Sequence, residues 1–425
     1  MNTGQLISRE SYRITAALWL LVPVIGAVPY LFAPCSLSFT DALFESVSGF
    51  TTTGSSVMVA PEALPAWLRL WRALTQWLGG LGLVLFIVAV FPSLRTGSSQ
   101  LYAAEFSGTQ QRKLHPHMSS NVSRMWAVYT LMTILCAAAL FACEPNDPFG
   151  CICLAMSTVS TGGFMPNAAG MAGYSDSAMV VLTVFMFLSG VNVAMLYNLF
   201  ALHWRRLRRS GEFIVYALVF AIASAICTVA FAASGTPWLE SLRFSLFHIA
   251  STVSTCGFYT VTPPRWPFVV SVVTFMLILS GAMAGSTGGG LKLRRLMTLS
   301  LYLRNYFSRM LHPNVVYTIK IDRQVVPADY VNKIFGFVFL YILFIIGGAF
   351  ALTLADIDLA DAFCLAAANI SNLGPTPIVG TLGAGLSYTV LPTLAKWVLM
   401  VLMLAGRLEI FALLAIVSPS YWRRR

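Results

Sequence analysis

The 425-residue sequence predicts an all-α integral membrane protein. Four helix–pore-loop–helix repeats stand in pseudo-fourfold arrangement around one pore, with eight spanning helices. Three observations lead there. Apolar residues make up 57% of the chain and charged residues 10%, against roughly 25% charge in soluble domains. Long apolar stretches recur in pairs, each pair enclosing a shorter apolar piece. A small polar segment ending in glycine follows each short piece, and recurrence at roughly every hundred residues calls for a repeat unit.

The second and third copies, Ser157-Thr-Val-Ser-Thr-Gly-Gly-Phe164 and Ser251-Thr-Val-Ser-Thr-Cys-Gly-Phe258, agree at seven of eight positions. Looser copies are Ser48-Gly-Phe-Thr-Thr-Thr-Gly-Ser55 and Ala368-Asn-Ile-Ser-Asn-Leu-Gly-Pro375. In every copy a hydroxyl residue (Thr51, Ser160, Ser254, Ser371) lies three places before a glycine (Gly54, Gly163, Gly257, Gly374).

The elements follow in order. In the first quarter, residues 1–121, the apolar run Ile14 to Phe32, interrupted only by Pro23 and Pro29, approaches the length of about 20 residues that spans a bilayer. Phe39 to Phe50 is too short to span and leads into Thr51, and Leu74 to Phe91 returns to the first side. The second quarter, 122–211, repeats this with Met125 to Ala142, Asp147 to Val159 and Ala178 to Leu202. The third, 212–328, runs Phe213 to Ala233, Pro237 to Val253 and Phe268 onward, and the fourth, 329–425, runs Ile334 to Leu354, Asp358 to Ile370 and Val390 to Val417. The connections, Pro92 to Asn121, His203 to Glu212 and Leu311 to Asp329, are polar and too short for a separate domain. Alternation over Val315 to Val326 fits either a small hairpin or a plain loop. The start of the chain lacks the basic region and cleavage site of a signal peptide, so its first apolar segment is expected to be retained.

Basic residues crowd the N-terminus and the segments after each quarter, as at Arg112 and Lys113, Arg205 to Arg209, Lys292 to Arg295 and Arg423 to Arg425. The positive-inside rule makes these cytoplasmic, with both termini inside and the repeats toward the outside. Ten acids then lie outside, Asp41, Glu45, Glu62, Glu144, Asp147, Asp176, Glu240, Asp356, Asp358 and Asp361, opposed by Arg69, Arg72, Arg243, Arg265 and Lys396. Such an acidic vestibule concentrates cations. The eight cysteines form no CxxC pair and read as small buried hydrophobes, with an outer disulfide between Cys143 and Cys151 as the alternative. The five histidines form no ligand cluster, and no serine sits in a nucleophile elbow, which argues against an enzyme.

Non-helical backbone at membrane depth is tolerated only where protein buries it or where it lines a watery cavity. Four such loops converging on one axis supply rings of carbonyl oxygens that replace the hydration shell of an alkali cation. Glycine admits the backbone angles this demands. The hydroxyls of Thr51, Ser160, Ser254 and Ser371 either add a further ring or tie the loops to the wall. The short helices present their partially negative ends to the cavity, which favours a cation.

These segments, Ser-Gly-Phe-Thr-Thr-Thr-Gly, Ser-Thr-Gly-Gly-Phe, Ser-Thr-Cys-Gly-Phe and Asn-Leu-Gly-Pro, resemble the four selectivity-filter loops of the Trk/Ktr/HKT superfamily of potassium transporters, most closely its bacterial TrkH branch. The resemblance covers nearly the whole chain. It implies potassium uptake across a bacterial cytoplasmic membrane, with potassium as the transported ion and no cofactor held by the chain. It also implies a lipid-embedded homodimer seated on cytoplasmic nucleotide-binding regulatory subunits, with no nucleic-acid partner. The filter carries over onto Thr52, Thr53 and Gly54, then Thr161, Gly162 and Gly163, then Thr255, Cys256 and Gly257, then Asn372, Leu373 and Gly374. Glycine at all four positions implies potassium preference, and serine at the first implies sodium permeation. TrkH relatives commonly carry an extra helix pair before the first quarter, which here begins almost at Met1. Rival readings are a sodium-permeable member and a cation-coupled symporter.

Gly281-Ala-Met-Ala-Gly285-Ser-Thr-Gly-Gly-Gly290, followed by Leu291 and Lys292, breaks the second helix of the third quarter, since each glycine costs about 1 kcal/mol against alanine. The stretch lacks the Gly-Lys-Ser/Thr ending of a phosphate-binding loop, and no strand precedes it. The resemblance implies a gating loop at Gly285, Ser286, Thr287, Gly288, Gly289, Gly290 and Lys292. It also implies a second gate element at Arg407, an intramembrane charge in the apolar run Trp397 to Val417. The alternatives are a GxxxG packing face and an arginine that snorkels to the inner surface.

Overall fold

The computed structural model describes residues 3–32, 37–82, 118–200, 209–260, 266–312, 318–322, 324–374, 388–411 and 413–414, with side chains described from residue 14 in the first helix and from 122 in the fourth. Of the expected connection Pro92 to Asn121, residues 92–117 lie outside these residues and 118–121 already belong to a helix; His203 to Arg208 and the terminal arginines also lie outside.

Four long apolar helices recur along the chain, α1 (Thr3–Leu31), α4 (Met118–Cys143), α8 (Gly211–Ala233) and α12 (Ala328–Thr353), the last three starting one to four residues before the expected second, third and fourth quarters. Among the described residues these four are long and apolar enough to cross a membrane. Their outward side chains, such as Ile25, Ile134, Ile222 and Phe339, are large, apolar and exposed. In water such a surface would be costly, whereas lipid tails match it.

Shorter helices follow each of them: α2 (Phe39–Phe50), α5 (Pro148–Val159), α9 (Trp238–Ser254) and α13 (Leu359–Ile370). Their starts are written locally. Ser38 caps α2 by accepting from Asp41 N at 3.1 Å, Asp147 caps α5 from Gly150 N at 2.8 Å, and Asp358 caps α13 from Ala360 N at 3.1 Å. The C-terminal turns of these helices are buried.

The returning helices differ from expectation. None is an unbroken span among the described residues. α3 (Ala66–Leu81) ends where Gly82 turns to φ 97°, and the expected continuation to Phe91 lies outside the described residues. In place of one helix over Ala178 to Leu202 there are two, α6 (Asp176–Ser189) and α7 (Val193–Phe200), bent by 113°. Asn192 starts the second by accepting from Ala194 N at 2.8 Å, a cap that ends the first helix early. α10 (Phe268–Ser280) stops at Gly281, as the glycine run predicts, and α11 (Leu293–Leu311) follows the loop. α14 (Thr393–Arg407) is interrupted where Glu409 and Ile410 take positive φ, and Phe411, Leu413 and Leu414 are helical again.

Each returning helix packs on the short helix of the next quarter: α3 on α5, α6 on α9, α10 on α13, and α14 back on α2. Within a quarter the long helix packs on its own short helix. The short helices are thus enclosed from both sides. Lys320–Ile321 (β1) and Gln324–Val325 (β2) pair antiparallel, so the alternating stretch is a small hairpin and not a plain loop. Asp322 at its turn accepts from Gly211 N at 2.7 Å and ties it to α8. Cys143 and Cys151 are free thiols, so the outer disulfide is not formed.

Gly79 marks the tightest of these contacts. A Cβ there would overlap the carbonyl of Phe50 and come within 2.7 Å of its carbon, so α3 lies directly on the end of α2. Gly79→Val should lower the stability of the purified protein by about 1–3 kcal/mol, read as a fall in its melting temperature in detergent.

Candidate functional site

The four short helices end in the same turn. The residues Thr53, Gly162, Cys256 and Leu373 each donate a backbone N–H to the carbonyl five places back, at 2.8 to 3.0 Å. The residue before each of them donates three places back at 3.0 to 3.1 Å. This pair of bonds is the Schellman motif, which needs one residue in the left-handed region, usually glycine. Here that residue is Thr52 (φ 55°), Thr161 (φ 55°), Thr255 (φ 61°) and Asn372 (φ 52°). A β-branched residue in that region is strained by roughly 1–3 kcal/mol.

The side chains give a reason for keeping it. Thr52 and Thr161 hydroxyls donate to the preceding carbonyls at 2.7 and 2.6 Å. Thr255 Oγ1 accepts from Gly289 N at 2.7 Å, and Asn372 Nδ2 donates to Met403 O at 2.9 Å and Thr53 Oγ1 at 3.1 Å. Glycine would relieve the strain and supply none of these bonds.

Two residues after each strained position comes a glycine in the left-handed region: Gly54 (φ 82°), Gly163 (φ 83°), Gly257 (φ 80°) and Gly374 (φ 77°). Gly54, Gly163 and Gly374 also lie too close to neighbouring backbone for a side chain. A Cβ on Gly54 would overlap Gly162 O, one on Gly163 would overlap Cys256 O, and one on Gly374 would overlap Thr53 O. All twelve residues assigned to the filter are buried, and these contacts link the loops of all four quarters.

Two details were not visible in the sequence. Gln76 of α3 donates to Gly162 O at 2.6 Å and accepts from Phe164 N at 3.3 Å, which turns that carbonyl toward the helix. A lone glutamine in an apolar returning helix was the available signal. The hydroxyls of Thr51, Ser160, Ser254 and Ser371 donate back to carbonyls of their own helices, so they tie the turns and form no ring.

The loop between α10 and α11 packs against these helix ends. A Cβ on Gly288 would press on Ser254 O and one on Gly289 would overlap Ser371 O, while Thr287 Oγ1 donates to Val159 O at 3.3 Å and Ser189 O at 3.2 Å. Gly285, Gly290 and Lys292 all have positive φ, and Lys292 Nζ donates to Gly288 O across the loop. Ser286 Oγ donates to Met283 O at 2.7 Å.

Arg407 reaches the same loop from α14. Its Nη1 donates to Thr287 O at 2.9 Å and its Nη2 to Gly80 O at 2.8 Å and to Gly79 O. It therefore faces protein carbonyls, and the snorkelling alternative is not adopted. Glu409 pairs with Arg295 of α11 at 2.6 Å. A small cavity of ≈ 50 Å³ is lined by Gly80, Gly285, Ser286, Gly290, Lys292 and Arg407, among others. Among the described residues no three His, Cys, Asp or Glu gather as metal ligands. What the site offers is main-chain oxygen, the ligand type that hard cations take, with the side chains of Lys292 and Arg407 lining the cavity beside it.

The sequence matches the TrkH family, described as cation transport protein, over residues 2–239 and 234–424. The chain belongs to the TrkH family. The Trk system potassium uptake protein TrkH of Escherichia coli K12 is 33% identical over 434 residues, 99% of this chain and 87% of that protein. TrkI of Halomonas elongata, also a Trk system potassium uptake protein, is 30% identical over 417 residues, 98% of this chain and 84% of that one. The crystal structure of the potassium transporter TrkH from Vibrio parahaemolyticus superposes with a TM-score of 0.86 at 31% identity, covering 98% of this chain and 86% of that chain. The helical architecture of this TrkH-family chain is thus that of the solved transporter.

Asn372 joins the fourth turn both to the first and to α14. Replacing it by alanine leaves the buried Met403 carbonyl without that donor, a cost of about 1–3 kcal/mol. Asn372→Ala should therefore melt several degrees lower in detergent than the parent protein.

Proposed function

We propose that this chain is the translocating subunit of a Trk-type potassium uptake system in a bacterial cytoplasmic membrane. In this reading the quarters 1–121, 122–211, 212–328 and 329–425 are pore repeats around one axis, and their two long elements per quarter make eight passes. The observation that carries it is the repeated turn: four buried helices end in one backbone conformation, and contacts between the turns link all four quarters. Carbonyl oxygens of Thr52 to Gly54, of Thr161 and Gly163, of Thr255 to Gly257 and of Asn372 to Gly374 would replace the water of a passing potassium ion, that of Gly162 being held by Gln76. Four negative helix ends aimed at one place add to the attraction.

The segment Gly285 to Gly290 with Lys292 acts as the gate in this account, and Arg407 as its electrostatic part. A unit charge at 4 Å in an effective dielectric near 20 opposes a cation by about 4 kcal/mol, enough to hold resting flux far below open flux. Toward the expected outer face the balance is negative, since pairing Lys396, Arg72 and Arg243 with Asp41, Glu45 and Asp176 leaves seven of the ten acids against two basic residues. A homodimer, with nucleotide-binding regulatory subunits docked on the basic inner face, completes the assembly by its likeness to Trk systems.

Two substitutions test this in purified protein reconstituted into vesicles. Gly54→Ser adds a side chain where Gly162 O already lies, and should lower the potassium-to-sodium flux ratio about tenfold or more, the effect of roughly 1.4 kcal/mol. An unchanged ratio would contradict the filter assignment. Arg407→Ala should raise cation flux in the absence of any regulator by about tenfold or more, up to the roughly thousandfold that about 4 kcal/mol represents, and flux that is equal or lower removes Arg407 from the gate.

A further inference from the structure

A buried ion pair stands behind the first two loops. Glu45 of α2 and Arg72 of α3 are 0% and 3% exposed, with Arg72 Nε 2.9 Å from Glu45 Oε1. Glu45 also accepts from Ser56 Oγ at 2.9 and 3.1 Å and from Val57 N at 2.9 Å. Arg72 donates from Nη2 to Ser56 Oγ at 3.1 Å and from Nη1 to Met165 O at 3.4 Å, and its guanidinium lies 4.3 Å from the centre of the Phe164 ring. Ser56 and Val57 come just after Gly54, and Phe164 and Met165 just after Gly163. The pair thus ties the chain leaving both loops to the helices beside them.

The same place in the other quarters is occupied differently. Glu45 lies six residues before the cap Thr51, and the residues six before Ser160, Ser254 and Ser371 are Leu154, His248 and Leu365. Arg72 lies seven residues after the cap Pro65, and the residues seven after Ser175, Pro267 and Pro392 are Leu182, Thr274 and Leu399. His248 Nε2 is 2.7 Å from Thr274 Oγ1. Leu154 and Leu182 share one apolar cluster, and Leu365 packs on the cluster that holds Leu399. Quarters one and three therefore carry a polar bridge where quarters two and four carry leucines. A fold that fills this position twice with leucine needs no charge there for packing, and burying an ion pair is often no more stabilising than an apolar pair of similar volume. What the charges add is direction, through their hydrogen bonds to the backbone after the loops.

We propose that Glu45 and Arg72 are positioning residues for ion discrimination. They hold the backbone after Gly54 and Gly163 so that the two loops cannot relax around an ion of another size, and His248 with Thr274 is the weaker counterpart beside the third loop. The inference rests on the reading of the four loops as an ion filter.

The double substitution Glu45→Leu with Arg72→Leu installs the pair that quarters two and four already use, and so avoids leaving one charge buried alone. In reconstituted vesicles its potassium-to-sodium flux ratio should fall about tenfold, the scale of one lost hydrogen bond to a charged group. The protein should still elute as the parent does on gel filtration, and its potassium flux should persist. A well-assembled double variant with the parental ratio overturns the proposal, since the pair would then only pack. Should the double variant not assemble, Glu45→Gln is read instead. It keeps one oxygen for Val57 N and loses the charge facing Arg72, so a partial fall in the ratio supports the proposal and the parental ratio overturns it. Gly54→Ser is measured alongside. If it alters the ratio and the variants at Glu45 and Arg72 do not, this inference fails and the filter stands. If neither alters the ratio, the filter reading has failed as well.

Discussion

A helix that ends inside an apolar interior must still find partners for its last carbonyls, and this requirement shapes the centre of the molecule. Four helices, α2, α5, α9 and α13, end there, each leaving main-chain groups that water would satisfy at a surface. The Schellman turn closes part of each end from within. It forces one residue into the left-handed region, and the chain uses Thr52, Thr161, Thr255 and Asn372 where glycine would be easiest. Their side chains bond what the turn leaves open, so the local strain is offset by hydrogen bonds that glycine has no atoms to make. Oxygens not consumed in this way are the ones the proposed filter would offer to a cation.

The same requirement explains why two helices break together. Gly190 to Asn192 interrupts the return of the second quarter, and Gly281 to Lys292 interrupts that of the third. Met283 N donates to Gly190 O at 3.2 Å, Val193 N to Gly285 O at 3.0 Å, and Asn192 Nδ2 to Ala284 O at 2.6 Å. Glu212 at the start of α8 accepts from Ala284 N at 2.7 Å. Each break supplies what the other lacks, so neither would be tolerated alone. The segment Gly281 to Lys292 is thereby held by a handful of directional bonds in place of continuous helix.

Charge is placed by the same logic. Arg407 lies among the carbonyls of Thr287, Gly79 and Gly80, Arg295 meets Glu409, and Arg72 meets Glu45. None of these cations reaches for a surface, because oxygen partners are nearer than water. A guanidinium held on carbonyls is still a full positive charge in a low-dielectric setting.

Much of this was legible in order along the chain. The long helices, the four short helices and the glycine turns could be found because apolar length, N-capping Ser or Asp and the Ser/Thr to Gly spacing are local signals. The glycine run predicted the end of α10, and an arginine in an apolar run marked Arg407. The break at Asn192 and the interruption after Arg407 were missed, although a Gly-Val-Asn sequence and Gly406 stood there, because apolar content alone favoured one continuous helix. Tertiary structure decided what no window of sequence contains: that the hydroxyls at Thr51, Ser160, Ser254 and Ser371 turn back on their helices, that Gln76 takes the Gly162 carbonyl, and that Glu45 finds Arg72. The physical reason is range. Capping, periodicity and backbone preference act over a few neighbouring residues, whereas a buried polar atom takes its partner from whichever part of the chain the packing of other helices brings within 3 Å or so.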